Sequence, residues 1–274
     1  MRTRPGPVTR VQVRAVSGDR LAVRPDRVAT EEPLEIRIDG AGPLTVTMRT
    51  PGHDFELAAG FLHAEGLLGP GGIRRMTYCT DPDVDAEQQY NIVNVGLDGP
   101  LPELPDRRFA VSSACGVCGK ASLDALSLRG CAALPADGPA VPAETVYGLP
   151  DALRAAQRTF ETTGGLHAAG LFTAAGELLC VREDVGRHNA VDKLVGWALL
   201  AGRLPLAGHV LMVSGRTSYE ITQKALVAGI PIVCAVSAPS SLAVSLADEF
   251  GLTLVGFLRD HRFNIYTHPE RLAV

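Results

Sequence analysis

The chain has 274 residues, of which 46% are hydrophobic and 20% charged, the balance of an ordinary globular protein with a sizeable core. Its formal net charge of −4 excludes a global basic field that would attract nucleic acid, so any anionic ligand must be held by a local cluster. The sequence shows neither a secretory signal nor an apolar run of membrane-spanning length, and its six cysteines then suit a reducing compartment. We therefore expect a cytoplasmic protein with neither nucleic acid nor a membrane as a partner.

The first half of the chain is predicted to be rich in β-strands. Apolar residues alternate with polar ones over residues 34–38 and again over residues 44–48, which predicts a half-buried hairpin. Apolar residues at helical spacing over residues 55–62 then predict a helix that stops near Gly66. The further strands expected in this half lie around residues 74–78 and 90–97.

The second half is predicted to alternate helices with strands. A helix is expected from about Pro150 to Gly164-Gly165. The later helices are expected over residues 191–198, 218–228 and 240–250. The strands are expected over residues 166–172, 178–181, 209–213, 230–236 and 252–257. Short β-branched runs that alternate with helices indicate an α/β sheet with helices packed against it.

Two cysteines stand out from the other four. Cys115 and Cys118 lie in the stretch SSACGVCGK, residues 112–120. The neighbouring thiol, Lys120 and free backbone N–H groups favour the thiolate in such a motif. The pair could react at sulfur, bind a soft metal or form a disulfide. Cys180 and Cys234, by contrast, lie in apolar runs and are expected to be buried hydrophobic residues.

These patterns predict four segments along the chain. Residues 1–30 carry no recognised motif, and residues 31–108 form a small β-rich α+β domain. Residues 109–142 hold the cysteine pair and a proline-rich linker, and their small residues predict a mobile loop. Residues 143–274 form the larger α/β domain.

Polar, glycine-containing sequence follows several of the predicted strands. Residues 184–189, 214–218 and 236–241 each lead from a strand into a helix, and residues 256–262 follow the last strand. Ligands of open α/β sheets bind beyond the carboxyl ends of the strands, and helix N-termini favour anions. Arginines in these loops and the nearby Phe257 predict a pocket for a large phosphate-bearing ligand with a flat ring.

Two details of this edge can be predicted further. Thr217 and Glu220 have the spacing of a capping box. His167 and His188 lie beside the loops, which makes them the histidines best placed for hydrogen-bonding or acid–base roles. The sequence contains neither a GxGxxG nor a Walker A motif, so an ordinary dinucleotide or NTP fingerprint is absent.

The motifs together resemble those of the FdhD family, the formate dehydrogenase accessory sulfurtransferases. Besides the cysteine loop they comprise EDVGRHNAVDK (183–193), SGRTSYEITQKA (214–225), SAPSSLA (237–243) and GLTLVGFLRDHRFNIYTHPERL (251–272). They occur in the family's order, and the resemblance extends from Glu31 to Arg271.

The resemblance implies a cytoplasmic, homodimeric sulfur carrier. It would accept sulfur as a persulfide from a cysteine desulfurase and deliver it to the molybdenum cofactor, bis-molybdopterin guanine dinucleotide, before insertion into the formate dehydrogenase catalytic subunit. Cys115 matches the persulfide-bearing cysteine and Cys118 its partner. The cofactor would be bound as a substrate, with no permanently bound cofactor or metal. The larger domain would resemble a cytidine deaminase, with a three-layer αβα core.

Residues 257–262 match the family's cofactor-binding stretch, and the strand-end loops supply the rest of the predicted site. The candidate cofactor-binding residues are Phe257, Leu258, Arg259, Asp260, His261, Arg262, Ser214, Gly215, Arg216, Gly186, Arg187 and His188.

Two alternatives stay open at this point. His63-Ala64-Glu65 together with Cys115 and Cys118 imitates the H-x-E and C-x-x-C signature of zinc deaminases, although Ala114 stands where that signature has proline. The other alternative is a non-catalytic chaperone that binds the cofactor and uses the cysteines as a structural or redox pair.

Overall fold

Two main β-sheets and their helices organise the protein. The computed structural model describes residues 4–69, 71–85, 88–99, 109–110, 132–135 and 140–274. Cys115, Cys118 and most of the segment 109–142 lie outside the described residues.

An antiparallel ribbon precedes both sheets. Strands β1 (Val8–Ser17) and β2 (Arg20–Ala29) pair along their whole length. The turn between them uses Gly18 at a φ of 57°, a conformation that glycine adopts without steric cost. The valines of residues 11–16 recur nearly every second position, a strand signal that the motif-based analysis of residues 1–30 passed over.

The first sheet has five strands in the order β5-β6-β3-β4-β7. These are β3 (Glu32–Ile38), β4 (Gly42–Arg49), β5 (Ile73–Tyr78), β6 (Ile92–Leu97) and β7 (Phe109–Ala110). The predicted hairpin is confirmed, since β3 and β4 pair antiparallel with Ile36 opposite Thr45. The predicted helix is α1 (Asp54–Ala64), whose Leu57 and Leu62 pack on the apolar face of this sheet.

The second sheet has six strands in the order β10-β9-β11-β12-β13-β14. They are β9 (His167–Thr173), β10 (Leu178–Asp184), β11 (His209–Val213), β12 (Ile232–Ala235), β13 (Thr253–Arg259) and β14 (Arg262–Thr267). The central strands β11, β12 and β13 are parallel, whereas β9, β10 and β14 run antiparallel to their neighbours. The predicted α/β class is confirmed, and β14 is a strand that the sequence analysis did not predict.

Helices cover both faces of this sheet. They are α2 (Ala143–Ala156), α3 (Arg158–Thr163), α4 (Arg187–Leu200), α5 (Tyr219–Val227) and α6 (Ser241–Glu249). Successive strand residues alternate between the faces, so Leu211 packs with α4, α5 and α6 while Met212 packs with α2. The described part of the second half is therefore a three-layer αβα arrangement. A short parallel pair, β8 (Val141–Pro142) with β15 (Leu272–Ala273), completes it.

The predicted start of the first helix in this half was wrong. The sequence analysis placed it near Pro150, but α2 begins at Ala143 and contains Pro150 in its interior. Val146 and Leu149 bury their side chains against the sheet, and this packing outweighs the cost of a proline inside a helix. The single predicted helix is in fact two, because α2 ends at Ala156 and α3 begins at Arg158. The predicted stop was correct for α3, which closes at Gly164 in the left-handed conformation.

The two sheets meet through the contact between α1 and α4. Gly60 of α1 lies against the backbone of Asp192, and Gly196 of α4 lies against the backbone of Glu56. Any Cβ at either glycine would overlap the opposing helix backbone, so the two glycines set the close approach of the helices. Each sheet also has an apolar core of its own. The division of the chain into four segments, made from the sequence, stays a prediction. Among the described residues, no helix is long and apolar enough to cross a membrane.

Candidate functional site

The loops predicted to form the site meet at one edge of the six-stranded sheet. Because β11, β12 and β13 are parallel, their carboxyl ends lie side by side. The antiparallel neighbours contribute the start of β9 and the end of β10, where His167 is opposite Asp184. The candidate residues 186–188 and 214–216 therefore follow strand ends on a common edge. Residues 257–262 lie at the same edge, where they form the end of β13, the turn and the start of β14.

Hydrogen bonds join the loop after β11 to its neighbours. Ser214 donates its N–H to the Ala168 carbonyl at 3.0 Å, and its Oγ accepts the Ala168 N–H at 2.8 Å. On the other side the N–H of Ser240 donates to the Thr217 carbonyl at 2.9 Å. Gly215 lies against the His167 ring, since a Cβ there would be 3.2 Å from Nδ1. This loop is thus held between β9 and the loop that precedes α6.

The predicted capping box at this loop was wrong. The N-cap of α5 is Ser218 rather than Thr217, and it makes no side-chain capping bond. Glu220 is therefore at the second helical position, one residue short of the capping-box spacing. The Glu220 carboxylate instead lies 2.8 Å from His188 Nδ1, and the hydrogen bond from His188 lowers the pKa of Glu220.

His188, in the first turn of α4, contacts the start of α5. Its Nδ1 contacts Glu220, and its Nε2 lies 3.0 Å from Ser218 Oγ. Both ring nitrogens are thereby occupied by groups at the start of α5. The described contacts give His188 a positioning role, because they tie the start of α4 to the start of α5.

A buried network holds the loop between β10 and α4. Asp184 is 0% exposed and pairs with Lys193 Nζ at 2.6 Å. It also accepts hydrogen bonds from Thr50 N at 3.1 Å, Gly186 N at 2.8 Å and Asn189 Nδ2 at 3.0 Å. Lys193 in turn donates to the Thr50 carbonyl at 2.9 Å. Three polar residues of the EDVGRHNAVDK motif are therefore structural, and they fix the loop that presents Arg187.

Sequence reasoning missed this network. Asp184, Asn189 and Lys193 look like ligand-binding residues when they are read in their motif. Asp184 and Lys193 have their distant partner at Thr50, and Asn189 has its own at the Met48 carbonyl. These partners are more than 130 residues away in the chain, so no local pattern reveals them.

The exposed side of the edge is positively charged. Arg216 is exposed, and Arg187 is half-buried with an Nε that is inaccessible to solvent and has no hydrogen-bond partner in the described part of the chain. Burial lowers the pKa of His167, and the positive charge of Arg187 lowers it further. The helices α4, α5 and α6 all begin at this edge, and helix N-termini add positive potential. The arrangement suits an anion.

The β13–β14 hairpin carries the second part of the predicted site. Phe257 has a φ of 54° where the pairing of the two strands shifts register, an uncommon conformation for a bulky residue. Asp260 and His261 form the turn, both at a φ of 52°. The N–H of Phe257 donates to the Ser237 carbonyl at 3.2 Å, which anchors this bulge beside the loop after β12.

The hairpin residues differ in what they can reach. Phe257, Arg259, Arg262 and Asn264 line a cavity of about 280 Å³, which combines an aromatic ring with two guanidinium groups. Leu258 is 0% exposed and packs in the core shared with α2. Only its backbone is therefore placed to meet a ligand. Asp260 and His261 are exposed at the turn.

One residue of the zinc alternative, His63, has another described contact, while Cys115 and Cys118 lie outside the described residues. His63 Nε2 lies 3.3 Å from the Val227 carbonyl, and burial lowers the pKa of His63. Among the described residues, no three His, Cys, Asp or Glu side chains cluster as metal ligands.

Cys180 and Cys234 are buried as expected, and burial raises their pKa values to about 11 and about 12.

Comparison with known proteins identifies the family. Residues 29–273 match the sequence model of the FdhD/NarQ family. The chain belongs to the FdhD/NarQ family. The family resemblance inferred from the motifs is thereby confirmed.

Relatives in this FdhD/NarQ family cover nearly the whole chain. The Sulfur carrier protein FdhD of Streptomyces avermitilis is 55% identical over 260 residues, 93% of this chain and 92% of that protein. The protein of the same name from Mycobacterium tuberculosis is 52% identical over 270 residues, 96% and 97% of the two chains. The one from Sulfurisphaera tokodaii is 46% identical over 269 residues, 97% and 99% of the two chains.

A solved structure supports the fold of this FdhD/NarQ member. The crystal structure of a Desulfotalea psychrophila protein, described as a formate dehydrogenase accessory protein, matches with a TM-score of 0.76 at 25% identity. The match covers 97% of this chain and 100% of that one. This chain therefore shares its mixed α/β architecture with a protein that is described as a formate dehydrogenase accessory protein.

Proposed function

We propose that the protein is a sulfur carrier, or sulfurtransferase, for the maturation of formate dehydrogenase. It accepts sulfur as a persulfide on Cys115 from a cysteine desulfurase. It then transfers that sulfur to bis-molybdopterin guanine dinucleotide before the cofactor enters the formate dehydrogenase catalytic subunit. The observation that carries the proposal is the near full-length match to sulfur carrier proteins of the FdhD/NarQ family, in a chain that has the Cys115–Cys118 pair.

The transfer moves one sulfur atom at a time. The Cys115 thiolate attacks the terminal sulfur of the donor persulfide, the donor S–S bond breaks, and the donor cysteine leaves as a thiolate. Cys115 then carries the extra sulfur until the cofactor receives it. If Cys118 attacks the Cys115 persulfide, sulfur leaves as sulfide and a Cys115–Cys118 disulfide forms, which a cellular dithiol must reduce before the next cycle.

The charged edge of the six-stranded sheet supports a phosphate-bearing acceptor. Arg187 and Arg216 lie on the loops beside three helix N-termini, and Arg259 and Arg262 line the cavity next to Phe257. Guanidinium groups form strong paired hydrogen bonds with phosphate, and an aromatic ring offers a surface on which a guanine can stack. We propose the twelve candidate residues as the binding edge for the cofactor, with Leu258 contributing its backbone and His188 holding the starts of α4 and α5 in place.

The remaining partners follow from the same proposal. A cytoplasmic homodimer is expected to meet the desulfurase and the formate dehydrogenase subunit in turn. The dimer is proposed from the family resemblance.

Intact mass measurement tests the sulfur step directly. After incubation with a cysteine desulfurase and cysteine, the protein should gain the mass of one or more sulfur atoms, and a reductant should remove it. Cys115→Ala should gain none and should not activate formate dehydrogenase, while Cys118→Ala should still be loaded. Loading of Cys115→Ala with no loading of Cys118→Ala would reverse the two roles, and full activation by Cys115→Ala would favour the non-catalytic chaperone.

Nucleotide binding tests the cofactor surface. Guanosine diphosphate should bind weakly as a fragment of the cofactor, and Arg259→Ala and Arg216→Ala should each weaken binding by about 1–3 kcal/mol, the range for charged hydrogen bonds. Arg75→Ala is the control, because Arg75 is exposed on β5 and pairs with Asp39 at 3.1 Å. Equal affinity in both site variants and the control would remove the assignment.

A further inference from the structure

The antiparallel ribbon of β1 and β2 has an outer part that is wholly exposed. Its base is fixed, because Thr30 donates its N–H to the Pro7 carbonyl at 3.0 Å and β2 contacts α3. Beyond that base, every residue from 16 to 25 is exposed. A two-stranded ribbon is at best marginally stable in water without further packing. The outer part of this ribbon is therefore suited to binding a partner.

The register of the pairing separates the two faces of the ribbon. Residues directly opposite each other in an antiparallel pair point to the same face, and the next pair along points to the other face. Three of the pairs on one face are Val16 with Leu21, Arg14 with Val23, and Arg10 with Arg27. These six residues define what we call the arginine face.

The end of the arginine face nearest the turn is apolar. Val16, Leu21 and Val23 are 73%, 65% and 69% exposed. Apolar side chains that are exposed singly are common in soluble proteins, whereas contiguous exposed patches mark interaction sites. Because these three side chains are neighbours on one face, they form such a patch.

The rest of the arginine face is positively charged. Its three arginines are exposed. A further pair on this face, Gln12 with Pro25, is uncharged, so the face carries no carboxylate anywhere along the described ribbon. Asp19 is in the turn, and Asp26 is on the opposite face with Val11. Residues 8–29 hold five arginines and two aspartates, a net charge of +3 in a chain whose total is −4.

These features favour an acidic protein surface as the partner. Arginine forms paired hydrogen bonds with carboxylates, and arginines beside buried apolar side chains are typical of the energetic centres of protein interfaces. Two arginine faces in contact would oppose like charges, which disfavours a second copy of this chain bound face to face. The surface that fits has carboxylates around apolar side chains.

The base of the ribbon lies beside the binding edge of the six-stranded sheet. A Cβ at Gly165 would be 3.6 Å from the Cβ of Ala29, the last residue of β2. Gly165 is two residues before His167, which begins β9 at that edge. A protein held on the ribbon would therefore be next to the loops that are proposed to hold the cofactor.

We propose that the arginine face docks the formate dehydrogenase catalytic subunit, through a patch of that subunit in which carboxylates surround apolar side chains. This inference rests on the proposed function, in which that subunit receives the cofactor from the binding edge. The desulfurase delivers its sulfur to Cys115 instead, so the subunit is the partner that has to meet the edge itself. Docking on the ribbon holds the subunit beside the cofactor that it receives.

Binding of the cofactor-free catalytic subunit to the immobilised full-length protein tests the docking face. The double variant Leu21→Asp/Val23→Asp should weaken this binding at least about tenfold, since apolar contacts at the centre of an interface dominate its affinity. Arg14→Glu should slow the association and reduce its dependence on salt, because it removes positive charge that attracts an acidic partner. A wild-type protein that does not bind the subunit, or a double variant that binds it normally, overturns the proposal.

Arg24→Glu is the matched control. Arg24 is exposed and opposite Val13, so it lies on the other face of the same ribbon. The same charge reversal there should slow association much less than Arg14→Glu does, and equal effects of the two variants contradict the assignment of the face. All the substituted side chains are exposed, so each variant should match the wild type in urea denaturation.

Hydrogen exchange on the wild-type complex tests the location without any substitution. The catalytic subunit should protect residues 14–23 of the full-length protein, because docking covers the outer part of the ribbon. Protection elsewhere with none in this range overturns the proposal, whatever the variants show.

Three measurements on the double variant examine other occupants of the face. Its oligomeric mass and its binding of the cysteine desulfurase should equal those of the wild type, and neither protein should bind vesicles of phosphatidylcholine and phosphatidylserine. A loss of oligomerisation, of desulfurase binding or of vesicle binding in the variant, with normal binding of the catalytic subunit, would assign the face to that other occupant and overturn the proposal.

Persulfide loading separates this inference from the proposed function. The desulfurase should load the double variant at Cys115 as it loads the wild type, because the arginine face serves the subunit that receives the cofactor. Loading of the wild type without ribbon-dependent binding of the subunit refutes the docking face alone. Ribbon-dependent binding without any persulfide loading supports the docking face and refutes the sulfur-carrier proposal.

Discussion

Replacement of Lys193 by methionine should destabilise the protein strongly. Lys193 is 1% exposed, and its Nζ both pairs with Asp184 at 2.6 Å and donates to the Thr50 carbonyl at 2.9 Å. Methionine fills a similar volume but supplies neither contact, so Asp184 stays buried as an unpaired charge. Removal of one partner from a buried ion pair costs about 3–5 kcal/mol, and we expect that loss in the free energy of unfolding.

Urea denaturation followed by tryptophan fluorescence measures this loss. The chain has one tryptophan, Trp197, which is one helical turn from Lys193 on α4 and packs against the core. Arg75→Met is the matched control, because it breaks the exposed pair with Asp39, a type worth about 0–1 kcal/mol. The double variant Lys193→Met/Asp184→Asn should recover part of the loss because no unpaired charge remains. A Lys193→Met variant as stable as the control would refute this account of the network.

Three other predictions follow from the packing and charges. Gly60→Ala should lower the free energy of unfolding by about 1–3 kcal/mol, since its Cβ meets the Asp192 backbone. Gly148→Ala on α2 is the control: its Cβ meets nothing within 4 Å, so it should raise the free energy of unfolding by about 0.5–1 kcal/mol. Equal effects of the two variants in urea denaturation would contradict the helix contact. Burial alone would raise the pKa of Glu56, but hydrogen bonds from Arg182 and His53 lower it to about 2 from the ordinary 4.5. Its stabilising contribution is therefore complete above pH 4.5 and lost as the pH falls toward 2, and Arg182→Met should flatten that part of a stability–pH curve. Phe257→Gly should relieve the positive φ of 54° and weaken guanosine diphosphate binding, with no loss of unfolding free energy; a destabilised variant with normal binding would show that the ring serves packing instead.

Local patterns predicted much of the fold. The alternation in β3 and β4, the helical spacing in α1 and the β-branched runs of the second half all identified real elements. The errors arose where tertiary packing or strand pairing, rather than the local sequence pattern, determines whether and where an element forms. Pro150 looked like a helix start, yet the burial of Val146 and Leu149 extends α2 toward the N-terminus. The alternating residues of β14 were overlooked because the motif there was read as a binding stretch.

The site was predicted as a set of loops, and the described chain brings those loops to one edge. The sequence could not distinguish residues that face a ligand from residues that hold the loops in place. Asp184, Lys193 and His188 have the chemistry of binding residues, but their partners are buried or neighbouring protein groups. Leu258 shares its motif with Arg259, yet the bulge at Phe257 turns its side chain into the core.

The Thr50 contacts have a consequence for how this protein can be divided. The binding edge belongs to the second half of the chain, but Thr50 is supplied from the first half, at the end of β4. A fragment that began at residue 143 would keep every candidate binding residue and still leave Asp184 and Lys193 without their Thr50 partners. It would also expose the α4 surface that Gly60 covers. The smallest unit able to present this edge must therefore include the first sheet, which makes the two halves one cooperative scaffold rather than interchangeable modules.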